Sequence, residues 1–238
     1  MSEFIYTKEK PKRVFTAFSG YDSQCMALDR IGISYELVGW SEIDKYAIQA
    51  HNAVYPQYAD RNYGDISKID WSQVPDFDLF TYSFPCTDIS NAGVQKGLEE
   101  GSGTRSSLLW ECRKAIEAKK PKYLLMENVK ALVSKKFLPF YQKWEQYLAE
   151  MGYDNYGKVI NATECGVPQN RERIFMVSIL RDEDDHSTYK FPDPIPLTKK
   201  LKDVLEPTVD DKYVLSDKSI EGFLKHNENH EEKGTGFI

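Results

Sequence analysis

Short apolar runs rich in β-branched and aromatic residues alternate along this chain with longer stretches whose apolar residues recur every three or four positions. The first pattern suits buried strands; the second suits helices laying one face on a sheet. Strands are expected at residues 14–18, 36–40, 78–82, 123–127, 157–161 and 174–179, and helices at 23–31, 44–54, 107–118 and 138–151. Strand and helix in alternation predict an α/β protein built on a doubly wound, mostly parallel sheet with helices on both faces. Ligands of such sheets bind beyond the carboxyl ends of the strands, so the residues just after each strand are where chemistry is to be sought.

Two segments break the rhythm. Residues 91–106, NAGVQKGLEEGSGTRS, carry Gly93, Gly97, Gly101 and Gly103 and read as a loop that closes over a site. After Arg181 the chain becomes acidic and proline-rich, with Pro192, Pro194, Pro196 and Pro207, and then runs into the polar EEKGTGFI. The expected organisation is therefore a tail over 1–12, one functional domain over 13–182, and a linker or the start of a further domain over 183–238.

Composition narrows the class. With 41 % hydrophobic residues in 238, the chain is long enough for one substantial core. It has no apolar run of about 18 residues, and its first twelve are charged rather than signal-like, so a soluble, cytoplasmic protein without a membrane role is expected. Cys25, Cys86, Cys112 and Cys165 form no CxxC pair, which argues against a zinc ribbon or a disulfide framework. His226 and His230 lie in HNENH, which lacks the HExxH order, so a solvated face is expected there and no metal site. A net charge of −6 has the wrong sign for gripping nucleic acid over the whole surface. Contact with DNA would have to come from a local basic rim or from another segment.

Three clusters fall at predicted strand ends. Ser83-Phe84-Pro85-Cys86 follows a buried strand and precedes the glycine-rich loop; a cysteine there projects into the cleft, whereas a lone buried cysteine is ordinarily a small hydrophobe. Glu127-Asn128-Val129 closes the strand YLLMENV and would aim a carboxylate at the same cleft, although alone it reads as a helix cap. Gln169-Asn170-Arg171-Glu172-Arg173 precedes IFMVSI, with two arginines at i,i+2 facing one way if extended; alone, such a segment is usually a solvated edge.

Together with Phe18-Ser19-Gly20, Glu42-Ile43-Asp44 and Gly64-Asp65-Ile66, these motifs resemble, in order and spacing, those of the cytosine carbon-5 DNA methyltransferases over roughly residues 13–180. The resemblance implies a Rossmann-like S-adenosylmethionine-dependent methyltransferase fold and transfer of a methyl group to carbon 5 of a flipped cytosine in double-stranded DNA, as in bacterial or phage enzymes. It implies Cys86 as nucleophile at carbon 6, Glu127 as the acid at ring nitrogen 3, Arg173 at the base's carbonyl edge, and Arg171 near the thiolate. For S-adenosylmethionine, and its product S-adenosylhomocysteine, it implies Phe18, Gly20 and Ile66 in the pocket, Glu42 at the ribose, Ile43 against the adenine, Asp65 at its amino group, and Phe84, Pro85 and Leu108 near the methyl. Lys96, Arg105 and Gln169 are the expected DNA contacts.

Two departures stand out. The family's glycine run after the first strand is replaced by Gly20-Tyr21-Asp22-Ser23-Gln24, where Asp22 and Ser23 are expected to reach the cofactor's amino-acid end. The region where the family's target-recognition domain is expected is absent, so a further C-terminal segment or a second polypeptide is expected to supply recognition. An RNA (tRNA) cytosine-5 methyltransferase and a non-catalytic regulatory homologue stay open as alternatives.

Overall fold

The computed structural model describes residues 10–85, 108–182 and 188–231. The chain divides into two compact units, Met1–Leu197 and Thr198–Ile238.

In the first unit, six strands form one sheet in the order β2-β1-β3-β4-β6-β5. The strands are β1 (Lys12–Ala17), β2 (Tyr35–Ser41), β3 (Leu79–Tyr82), β4 (Tyr123–Val129), β5 (Tyr153–Asn161) and β6 (Glu172–Leu180), interleaved with helices α1 (Ser23–Arg30), α2 (Lys45–Val54), α3 (Leu109–Lys119) and α4 (Leu138–Glu150). Strands β1 to β4 pair in parallel, whereas β6 lies antiparallel between β4 and β5. The chain passes from β1 to β2 on one side and returns to β3 on the other, so the order reverses at β1 and opens a cleft beyond the carboxyl ends of β1 and β3.

The reversed direction of β6 matters for chemistry. It starts where β4 ends, pairing Val129 with Arg173 and Glu127 with Phe175, and so carries the segment before β6 to the end of the sheet where β1, β3 and β4 finish. An all-parallel strand would put that segment at the opposite end.

Side-chain alternation along the strands builds two cores, one on each face of the sheet. Phe15 joins Trp71, Phe77, Phe80, Tyr82, Trp110 and Trp144 in the larger core, while its neighbour Val14 joins Leu37, Trp40, Cys25 and Tyr55 in the smaller. The buried Trp144 indole donates to the Tyr82 hydroxyl at 3.0 Å, which satisfies both polar groups inside the larger core. Helix α2 starts where Asp44 accepts from the N–H groups of Tyr46 and Ala47, both at 2.9 Å, and this cap fixes the chain leaving β2.

The second unit, expected from sequence as linker or the start of a domain, contains short 3-10 turns at Leu201–Val204 and Asp211–Tyr213 and helix α5 (Asp217–Glu231). His226 and His230 lie one turn apart on α5 with ring centroids 4.4 Å apart. No described helix is long and apolar enough to cross a membrane.

Candidate active site

Two cavities meet at the cleft, and Phe18, just past β1, lines both. The first, of about 430 Å³, is bounded by the turn after β2 (Ser41 to Asp44), by Gly64 to Ile66, and by Pro85 and Leu108. That volume falls within the ~300–1,000 Å³ of ordinary small-molecule sites. At its rim the Glu42 carboxylate is held by three backbone donors: Gly20 N–H at 3.0 Å on one oxygen, and Ile43 and Asp44 N–H at 2.8 and 2.9 Å on the other. Asn62 bridges this wall to the next, accepting from the N–H groups of Glu42 and Gly64 while donating to the Glu42 carbonyl. Asp65 caps its own 3-10 turn; the Ser67 hydroxyl, then the Ser67 N–H, holds its carboxyl below the usual carboxylate range, so it is charged at neutral pH. Ile43 is 73 % exposed, an apolar side chain left bare beside the acidic rim.

The second cavity, of about 570 Å³, lies under the β1–α1 turn and is closed by residues of β4, β5 and β6, with Glu127, Arg171 and Arg173 in its wall beside Ser83 and Cys165. Arg173 Nε sits 3.0 Å from Glu127 Oε1, the diagonal contact that the β4–β6 register dictates. Its Nη1 donates to the Glu172 carbonyl at 2.8 Å. Arg171 is anchored through its backbone N–H, which donates to Asn161 Oδ1 at 3.1 Å.

A third hollow, of about 650 Å³, continues outward between residues 129–134 and 169–173; it takes in Gln169, both arginines and Lys130, which pairs with Glu172 at 2.8 Å.

The strand ends are tied together by one side chain. Asn128, 2 % exposed, donates through Nδ2 to the Phe84 carbonyl at 3.0 Å and accepts the Val129 N–H at 2.9 Å. The chain leaving β3 is thereby held against the end of β4 two residues before Cys86. Cys86 itself, with Lys96 and Arg105, lies outside the described residues. Burial pushes the Cys25 and Cys112 thiols far up, so both are inert core groups, while Cys165 is exposed.

Of the residues expected from sequence around the cofactor, Phe18, Glu42, Ile43, Asp65, Ile66, Pro85 and Leu108 line the first cavity. Gly20 lines the second instead, and Phe84 is 2 % exposed, lying behind the wall with its carbonyl taken by Asn128. Asp22 corrects the expectation that it reaches a ligand. It is fully buried, accepting from the Thr16 hydroxyl at 2.9 Å and from Cys25 N–H at 3.4 Å, while Ser23 stays on the cavity wall. Sequence reasoning missed Cys165 and Asn62, because neither stands at the end of a predicted strand.

The C-5 cytosine-specific DNA methylase family model matches residues 13–238. The chain belongs to this family. Among relatives of the methylase, a type II methyltransferase, M2.ScrFI, of Lactococcus lactis subsp. cremoris is 40 % identical over 87 % of the chain and 71 % of its own length. M.NlaX of Neisseria lactamica, also type II, is 33 % identical over 94 % and 69 %, and the orphan methyltransferase M.SPRI of Bacillus phage SPR is 33 % identical over 90 % and 54 %. The chain thus spans between about half and 71 % of these relatives' lengths. The solved Dnmt2 methyltransferase of S. pombe superposes with a TM-score of 0.67 at 19 % identity, over 91 % of the chain and 66 % of that protein, a likeness of fold.

Proposed function

We propose that this methylase transfers a methyl group from S-adenosylmethionine to carbon 5 of cytosine in DNA, working in the cytoplasm on a base turned out of the duplex. The observation that carries the reading is the Glu127–Arg173 pair, 3.0 Å apart in a cavity that shares Phe18 with a second, acid-rimmed cavity. An acid, a cation and a donor pocket within one cleft are what addition and methylation of a pyrimidine require.

The first cavity fits the adenosyl part of the donor. Glu42, already fixed by three N–H groups, offers its remaining lone pairs to vicinal hydroxyls; Asp65 offers a charged acceptor to an exocyclic amine; Ile43 and Ile66 offer apolar faces to a flat ring. S-adenosylmethionine, when bound, supplies a methyl group on a positively charged sulfur. Carbon 5 of cytosine is too weak a nucleophile to accept it unaided. Cys86 adds as thiolate to carbon 6, which pushes electron density onto carbon 5. Glu127 delivers or shares a proton at ring nitrogen 3, and Arg173, bonded to Glu127, holds both that carboxyl and the base's carbonyl oxygen. Arg171 provides positive charge that favours the thiolate. After transfer, the carbon-5 proton leaves to water, the carbon–sulfur bond breaks, and the aromatic ring and the thiolate are restored.

A buried base is beyond reach of these groups, so the base is flipped, at a cost of a few kcal/mol. Gln169, Lys96 and Arg105 are assigned to the DNA backbone, and selection of the target sequence is placed outside residues 13–182. The test is methyl transfer from labelled donor to cytosine in duplex DNA, with tRNA as comparison substrate. Incorporation at carbon 5 of DNA that disappears with Glu127→Gln supports the assignment; transfer to tRNA alone refutes it.

A further inference from the structure

Three residues in the five that follow β1 hold positive φ: Phe18 at 56°, Gly20 at 57° and Asp22 at 68°. Two of them are not glycine, and a left-handed conformation at such residues costs free energy that surrounding contacts must offset. Those contacts gather on Asp22. Its carboxylate takes the Thr16 hydroxyl at 2.9 Å and the Cys25 N–H, the Thr16 hydroxyl in turn meets the Ser19 hydroxyl at 2.9 Å, and the Asp22 N–H donates to the Ser19 carbonyl at 2.8 Å. Against the same carboxylate, 3.5 Å from Oδ2, lies Nε2 of His51, and both side chains are fully buried. His51 is the buried residue of α2; its ring stacks on Trp40 at 3.7 Å between centroids, and its Nε2 has no hydrogen-bond partner among the described residues, so Asp22 is the group it faces.

We propose that the buried Asp22–His51 pair is a positioning clamp that locks the turn between the two cavities onto helix α2, and that donor affinity depends on it. The geometry gives the clamp two arms. Asp22 fixes the turn that presents Phe18 and Gly20, and the Gly20 N–H holds one oxygen of Glu42. His51 fixes the helix whose amino end carries Ile43 and Asp44, whose N–H groups hold the other oxygen. Both halves of the cage around the Glu42 carboxylate are thus referred to one contact in the core. Neither residue touches the first cavity, so any effect on binding acts through position. The inference rests on that cavity being the donor site.

The test uses the full chain and titration with S-adenosylhomocysteine, which needs no turnover. Asp22→Asn keeps the volume and tolerates left-handed φ, and His51→Gln keeps a polar side chain of similar reach. Each is expected to raise Kd at least about tenfold, equivalent to about 1.4 kcal/mol. The double variant is expected to lose no more than the worse single, because the two act as one unit. In turnover, KM for the donor should rise by a larger factor than kcat falls. If either single variant proves unfolded by circular dichroism, His51→Phe retains the stack on Trp40, removes the contact to Asp22, and carries the same expectation. Folded variants that bind S-adenosylhomocysteine as tightly as the wild type, or losses that simply add in the double variant, overturn the clamp while leaving the donor site intact. A wild-type chain that does not bind S-adenosylhomocysteine overturns the donor-site reading and the clamp with it.

Discussion

Asn128→Ala isolates the link between two strand ends at the candidate active site. In the wild type its amide donates to the Phe84 carbonyl at 3.0 Å and accepts from Val129 at 2.9 Å, at a position 2 % exposed. Truncation leaves one buried carbonyl and one partly buried N–H without partners. A stranded group costs about 1–3 kcal/mol, so the two together predict a loss of about 2–6 kcal/mol. Equilibrium urea unfolding, followed by the fluorescence of Trp71, Trp110 and Trp144 in the larger core, reads this as a lower midpoint at unchanged slope. Methyl transfer should fall further than stability accounts for, because the released Phe84 is two residues from Cys86. Asn128→Asp keeps the shape but sets a carboxylate oxygen against the Phe84 carbonyl. It should destabilise at neutral pH and recover part of the loss in acid, where the protonated carboxyl can donate. An alanine variant within about 0.5 kcal/mol of wild type would refute the role of this side chain in joining β3 to β4.

Three other outcomes follow from the geometry. Glu42→Ala removes the acceptor shared by Gly20, Ile43 and Asp44, and calorimetric titration should show the Kd for S-adenosylhomocysteine raised at least about tenfold; unchanged affinity contradicts the placement of the ribose. Gly39→Ala would set a Cβ 2.6 Å from the Tyr63 ring and 2.7 Å from the Phe15 ring, and urea unfolding should record a loss of about 2–3 kcal/mol. Glu145 has its carboxyl pushed up, chiefly by burial, so the fold favours its protonated form; the stability tied to that proton is complete below the ordinary value of 4.5 and is lost as pH rises through the folded-state value. Glu145→Gln should therefore raise Tm at pH 7, with the gain shrinking to nothing below pH 4.5, and a gain that grows on acidification would contradict the sign.

Most of the sheet was legible because its strands are buried on both faces and read as apolar runs: β1, β2 and β3 fall within two residues of expectation at either end. Strand β5 begins four residues earlier than expected, at Tyr153, because its first half is polar and is held by pairing with β6 rather than by its own pattern. The reversal of β6 left one mark in the sequence, the short connection without an α-helix between the strands expected at 157–161 and 174–179, which suits antiparallel rather than parallel neighbours. Periodicity is blind to direction, yet direction is what lets Arg173 meet Glu127. Polar residues beside strand ends could be read individually as facing the cleft, as with Glu42, Glu127 and Arg171, which line its cavities. The inward turn of Asp22 could not, since its partner His51 sits 29 positions away on another element and looks, in sequence, like any histidine on a helix. Helix α5 falls in the stretch expected as a linker or the start of a further domain, and it is hard to see in sequence because its apolar residues Ile220, Phe223 and Leu224 are sparse among charges, and all three are exposed.

On the proposed function, the thiol of Cys86 bonds to carbon 6 of the flipped cytosine. A duplex carrying 5-fluorocytosine within a methylation site blocks loss of the carbon-5 substituent and traps that bond once the methyl group has been transferred. Incubation with donor followed by denaturing electrophoresis and peptide mapping should yield a stable protein–DNA adduct at Cys86, abolished by Cys86→Ser and by omission of the donor. An adduct mapped to the exposed Cys165, or carbon-5 methylation by a Cys86→Ser protein, would contradict the account.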